Sequence, residues 1–132
     1  MNWYERNGGG RLAVEAELLR RHYPSAKLVL QGGLMRVRMN IRGRLAVYRL
    51  EVVYPDRFPN AQPKAYIRQP ELSASTPHLY PDESLCLHHG NEVGNQTSAM
   101  VIITWSVLYV RAYERWKTTG RWPRPSELHN SR

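Results

Sequence analysis

Cys86 is the only cysteine in 132 residues, and three of the five histidines lie within ten residues of it. His78 precedes it by eight positions; His88 and His89 follow by two and three. A single cysteine excludes an internal disulfide and a Cys-rich zinc site. It is read either as a small buried hydrophobe or as a reactive thiol whose thiolate is the nucleophile. Adjacent histidines rarely converge on one ion, and no third ligand stands at suitable spacing, so no metal or other cofactor is expected. A Cys–His hydrolase dyad lacks a clear substrate cleft in so short a loop. Asp82, Glu83 or a neutral imidazole is able to orient an attacking amine or take its proton.

The elements around this thiol are legible from periodicity. Leu12, Leu18, Leu19 and Tyr23, with Ala16 between, predict a helix over 11–23 with one buried stripe, ended by Pro24. Ala26–Leu30, Leu34–Ile41 and Leu45–Tyr54 read as strands joined by glycine turns. In the second, Met35, Val37, Met39 and Ile41 alternate with Arg36, Arg38 and Asn40. Pro55, Pro59 and Pro63 break the pattern, with Asp56 in a turn, and a fourth strand fits Lys64–Arg68. Gln69–Thr97 sustains no period and holds Cys86; a loop of this length in a small domain points to function or disorder. Val101, Trp105, Leu108, Tyr109, Ala112 and Trp116 predict a long helix from Ser98 to about Thr118, capped by Ser98 or Thr97 and closed by Gly120. Trp105 and Trp116 fall on its apolar stripe, which favours core packing over base stacking; Trp122 lies beyond it.

The fold class expected is therefore α+β: an N-terminal helix, a four-stranded antiparallel meander, an irregular loop bearing the cysteine, and a long C-terminal helix. The expected organisation is a flexible lead-in at 1–10, one domain at 11–122 and a polar tail at 123–132.

Three stretches carry a family resemblance. The run from Tyr48 to Ile67, with Tyr54-Pro55, Phe58-Pro59 and Pro63 between two strands, resembles the core of the ubiquitin-conjugating enzymes. Ser84-Leu85-Cys86-Leu87 resembles their active-site stretch. The ending from Tyr113 and Glu114 through Trp116, Gly120 and Trp122-Pro123 resembles bacterial members in anti-phage and ubiquitin-like operons, including the cyclic-oligonucleotide (CBASS) systems. The resemblance spans roughly 11–123.

It implies an enzyme: a transferase in which Cys86 accepts a protein C-terminus as a thioester and passes it to a lysine. The implied cargo is a cGAS-like nucleotidyltransferase or a ubiquitin-like protein. One domain leaves no room for an activating module, so a separate activating enzyme or pre-activated cargo is implied. Thr76–Tyr80 stands where relatives carry His-Pro-Asn, and its asparagine is missing. The donors for the transfer oxyanion are then sought among His78, His88, Asn91, Asn95 and backbone N–H groups, with His78 and His88 the leading catalytic partners of Cys86. A non-catalytic, RWD-like protein-binding module is the alternative.

The net charge of +8 favours acidic partners. Arg36, Arg38, Arg42 and Arg44 are expected to share the outer side of the sheet near an exposed edge and to recruit one. A nucleic-acid partner rests on charge alone and is disfavoured. No apolar run suits a membrane span or a signal peptide, so a cytoplasmic protein without a membrane partner is expected.

Overall fold

A computed structural model of the chain describes residues 1–87 and 97–128. A 3₁₀ turn at Arg6–Gly9 leads into α1 (Gly10–His22). Four strands follow, β1 (Lys27–Gln31), β2 (Leu34–Arg42), β3 (Val47–Val53) and β4 (Lys64–Gln69), then α2 (Ala99–Thr119) and a short α3 (Pro125–Leu128). The sheet runs β1-β2-β3-β4, antiparallel throughout, as the two-residue alternation predicts.

The register places Val37 opposite Val52 and Met39 opposite Leu50. One face thus carries Met35, Val37, Ile41, Tyr48, Leu50, Val52 and Ala65, and α2 covers it with Ile102, Ile103, Tyr109 and Val110. Ser98 caps α2 by accepting from the N–H of Val101 at 3.3 Å, and Gly120 closes it at φ 78°. Only a glycine adopts that left-handed conformation without strain.

Buried carboxylates hold the layers together. Glu15 is fully enclosed, accepts from the Tyr54 hydroxyl at 2.7 Å and from the Ala99 N–H at 3.0 Å, and pairs with Arg11 at 3.2 Å. It therefore joins α1, the end of β3 and the first turn of α2. Glu114, on α2, accepts from the N–H groups of Arg44 and Leu45 and from the Tyr48 hydroxyl at 2.8–2.9 Å. Burial alone pushes its carboxyl up, but these donors outweigh that and hold it below the ordinary carboxylate value.

The β2–β3 turn reaches Glu114 because Gly43 has no side chain. A Cβ there would stand 2.8 Å from the Tyr48 ring and closer still to the Glu114 carboxylate. Gly43→Ala is expected to cost about 1–3 kcal/mol by overpacking this contact. An unchanged denaturant midpoint would show that the turn yields freely.

Both ends of the chain join the core. Trp3, in the flexible lead-in expected at 1–10, is 3% exposed and lies 4.7 Å, ring to ring, from both Tyr54 and Phe58. At the other end, in the stretch expected to be a polar tail, Leu128 is buried and Glu127 pairs with Arg121 and Arg124.

The outer face of the sheet corrects the expected arginine cluster. Glu51 is buried on that face and pairs with Arg36 at 3.2 Å, Arg38 at 2.8 Å and Arg68 at 2.7 Å. Burial raises the Glu51 carboxyl, yet the bonds from Arg38 and Arg68 prevail and lower it. Arg36 and Arg38 are thus committed to an internal network, while Arg42 and Arg44 lie apart from it, at the turn beside α2.

Candidate active site around Cys86

Up to Leu87, the segment that carries the thiol is built on a turn and a bridge that its sequence does not suggest. Tyr80-Pro81-Asp82-Glu83 forms a turn closed by the Glu83 N–H donating to the Tyr80 carbonyl at 2.8 Å. Proline at the second position presets such a turn. On either side, Leu79 and Leu85 pair in an antiparallel bridge. The Tyr80 N–H donates to the Ser84 carbonyl at 2.9 Å, and the Cys86 N–H to the His78 carbonyl at 2.9 Å. The Leu85 N–H donates to the Ala65 carbonyl at 2.8 Å, which fastens the bridge to β4.

Side-chain burial then sets the direction of the thiol. Ser84, Leu85 and Leu87 are buried, while Cys86 between them is half-buried. The flanking leucines anchor the backbone in the core and leave the sulfur accessible.

Asp82 secures the turn. One carboxylate oxygen accepts from the Ser84 N–H at 2.9 Å and its hydroxyl at 2.6 Å. The other accepts from Lys64 at 2.9 Å. The Lys64 ammonium and the two Ser84 donors hold the carboxyl far below its ordinary value. A depressed carboxylate stabilises the turn at any pH above the ordinary carboxylate range, and that contribution is lost only as pH falls through the lowered value. So weak a base, with both oxygens occupied, is poorly suited to take a proton from lysine. Asp82 is a structural anchor here.

His78 is brought to the thiol by its backbone. Its carbonyl holds the Cys86 N–H; its exposed ring packs 4.9 Å from Trp122. Trp122 also lies 5.1 Å from Tyr109, whose hydroxyl donates to the Pro77 carbonyl at 2.8 Å. Burial raises the Tyr109 phenol well above its ordinary range and keeps it a donor. The far half of α2 and the segment after Gly120 thus brace the strand that holds Cys86. Trp105 and Trp116 pack against the core, as their helical spacing predicts. His88, with His89, Asn91 and Asn95, lies outside the described residues.

Tyr80 is the neighbour that sequence reading missed. Its side chain is 40% exposed, and the adjacent Cys86 sulfur raises its phenol above the ordinary value. The turn Tyr80–Glu83 folds the two side chains together across six positions. A Pro-Asp pair just after an aromatic residue, closing on a cysteine, is the signal that points to this geometry. Among the described residues no three potential ligands gather to hold a metal ion, and no helix is long and apolar enough to cross a membrane.

A helix, a four-strand meander, a proline-rich crossing, a thiol on a bridged loop and a covering helix together define a ubiquitin-conjugating-like α+β protein. A family model for the Type II CBASS E2 protein matches residues 15–130. The chain belongs to that family, which gives it a ubiquitin-conjugating-like role in anti-phage defence and protein partners within the CBASS pathway. Comparisons with curated proteins and with solved structures give no significant match.

Proposed function

We propose that this protein is an acyl carrier in which Cys86 takes a protein C-terminus as a thioester and delivers it to an amine. The observation that supports this best is the half-buried sulfur, held between buried leucines beside the Tyr80 side chain. In loading, the Cys86 thiolate attacks the activated carbonyl carbon of the cargo and the activating group leaves. In transfer, a lysine Nζ attacks the same carbon, the C–S bond breaks, the thiolate departs and the amine proton passes to a base or to water. The cargo in this reading is a cGAS-like nucleotidyltransferase or a ubiquitin-like protein, activated by a separate enzyme. Residues 11–122 carry the catalytic unit, with Trp3 and Leu128 packed onto it.

Tyr80 assists both steps by presenting its hydroxyl to the sulfur as it attacks and later leaves. His78 and His88 are the proposed assisting imidazoles, as donors to the oxyanion or acceptors of the amine proton. Tyr80→Phe is expected to slow loading and discharge about tenfold, below the loss seen for a fully enclosed donor because water competes at an exposed site. His78→Ala should slow discharge alone. Both variants should keep the wild-type melting temperature. A Tyr80→Phe protein that discharges at the wild-type rate would remove the tyrosine from the mechanism.

The carrier reading is tested by alkylating the protein with iodoacetamide before adding activated cargo. Cys86 is the chain's only thiol, so alkylation is expected to abolish loading. Undiminished loading would place the acyl group elsewhere.

A further inference from the structure

We propose that a groove between the β2–β3 turn and the far half of α2 docks an acidic segment of a partner protein. The groove has a volume of about 610 Å³ and is lined by Arg42, Arg44 and Leu45 of the turn and by Arg111 and Arg115 of α2. That volume lies in the range of sites that enclose several side chains.

Among the described residues, the charge of this groove is uncompensated. Glu114 is the only described acid lining it, and its oxygens are turned inward to the Arg44 and Leu45 N–H groups and the Tyr48 hydroxyl. Among the described residues, the arginines in ion pairs are Arg11, Arg20, Arg21, Arg36, Arg38, Arg68, Arg121 and Arg124, each with a nearby glutamate. None involves Arg42, Arg44 or Arg111. Arg115 reaches only the Glu127 carbonyl, at 3.3 Å. Guanidinium groups left together without a counter-charge repel one another, and their planar forks suit carboxylates.

The rim selects a peptide over a nucleic acid. Leu45 is 59% exposed, and Val47 beside it is 49% exposed. They offer an apolar contact for one aliphatic side chain. Among the described residues no aromatic side chain lines the groove, so it offers a nucleobase no stacking platform.

Its position also suits recruitment. The Cys86 loop is fastened to Ala65, which pairs with Val52, whereas the groove adjoins Val47 at the start of β3. Five residue steps along β3, from Val47 to Val52, separate them by about 17 Å. A partner held in the groove leaves the thiol free. The docking site stands whether or not Cys86 forms a thioester.

The test is fluorescence anisotropy with a labelled peptide of glutamates around one leucine, alongside a labelled oligothymidylate. Arg44→Glu/Arg111→Glu is compared with the charge-matched Arg21→Glu/Arg57→Glu, whose sites lie outside the groove; Arg42→Ala/Arg111→Ala serves if the first pair misfolds. The groove variant is expected to weaken peptide binding about tenfold or more, and the matched variant less than about twofold. Equal losses in the two variants would assign the binding to net charge and overturn the proposal. So would the absence of saturable peptide binding by the wild type, or an oligothymidylate that binds more tightly than the peptide and is lost with the groove arginines.

Discussion

Cys86→Ala is expected to reduce cargo adduct to background, while Cys86→Ser accumulates an adduct that survives thiol reductant. The difference follows from the leaving group. A serine ester holds the same acyl group, but an alkoxide departs far less readily than a thiolate, so discharge to lysine slows and the intermediate persists. The fold should tolerate both changes, because the leucines on either side of Cys86, not the thiol, anchor the loop. Denaturing gels with and without reductant read both outcomes. An adduct of wild-type abundance on the Cys86→Ala protein would remove the thiol from the mechanism.

The largest expected loss of stability comes from Glu15→Ala. The substitution strands the Tyr54 hydroxyl and the Ala99 N–H in the core, leaves Arg11 without its carboxylate and opens a cavity. Breaking one side of such a buried network costs about 3–5 kcal/mol, which for a domain of this size lowers Tm by more than about 10 °C. Glu15→Gln keeps the volume and one acceptor and should lose about half as much. Thermal unfolding of the three proteins reads the series. A loss below about 1 kcal/mol for Glu15→Ala would mean that water enters and satisfies the stranded groups.

What could be read from the sequence followed the apolar period. Val37, Met35 and Ile41 alternate with arginines along β2, and the turn glycines punctuate the meander, so topology and the inward face followed. Ser98 and Gly120 marked the ends of α2 because caps have chemistry of their own. The carboxylates inside the structure were invisible to the same reasoning. Glu15, Glu51 and Glu114 each sit on a pattern that assigns charged residues to solvent, and only their partners, distant in sequence, make burial tolerable. Arg36 and Arg38 were placed on the correct face of β2 but read as free, because Glu51 and Arg68 arrive from two other strands. Trp3 escaped notice because a lone indole among glycines and polar residues has no period.

At the site, the thiol itself was legible from Ser84-Leu85-Cys86-Leu87 and its place after the proline crossing. Its surroundings were not. The histidines drew attention by their type, yet the ring of His78 rests on Trp122 while its carbonyl holds Cys86. The side chain that neighbours the sulfur is Tyr80, which a turn brings back across six residues. Asp82 looked like a base by its closeness in sequence, whereas four bonds from Lys64, Ser84 and Tyr66 make it an anchor.

The most direct test of the account is the intact mass of the wild-type protein after incubation with a cargo C-terminus supplied as a small-molecule thioester. This removes any need for the activating enzyme, since thiol exchange alone suffices for loading. The account predicts a mass gain of one cargo, mapped to Cys86 and released when the acyl group passes to an added thiol or to free lysine at neutral pH. No mass gain at Cys86, or an adduct that an added thiol leaves in place, would contradict it.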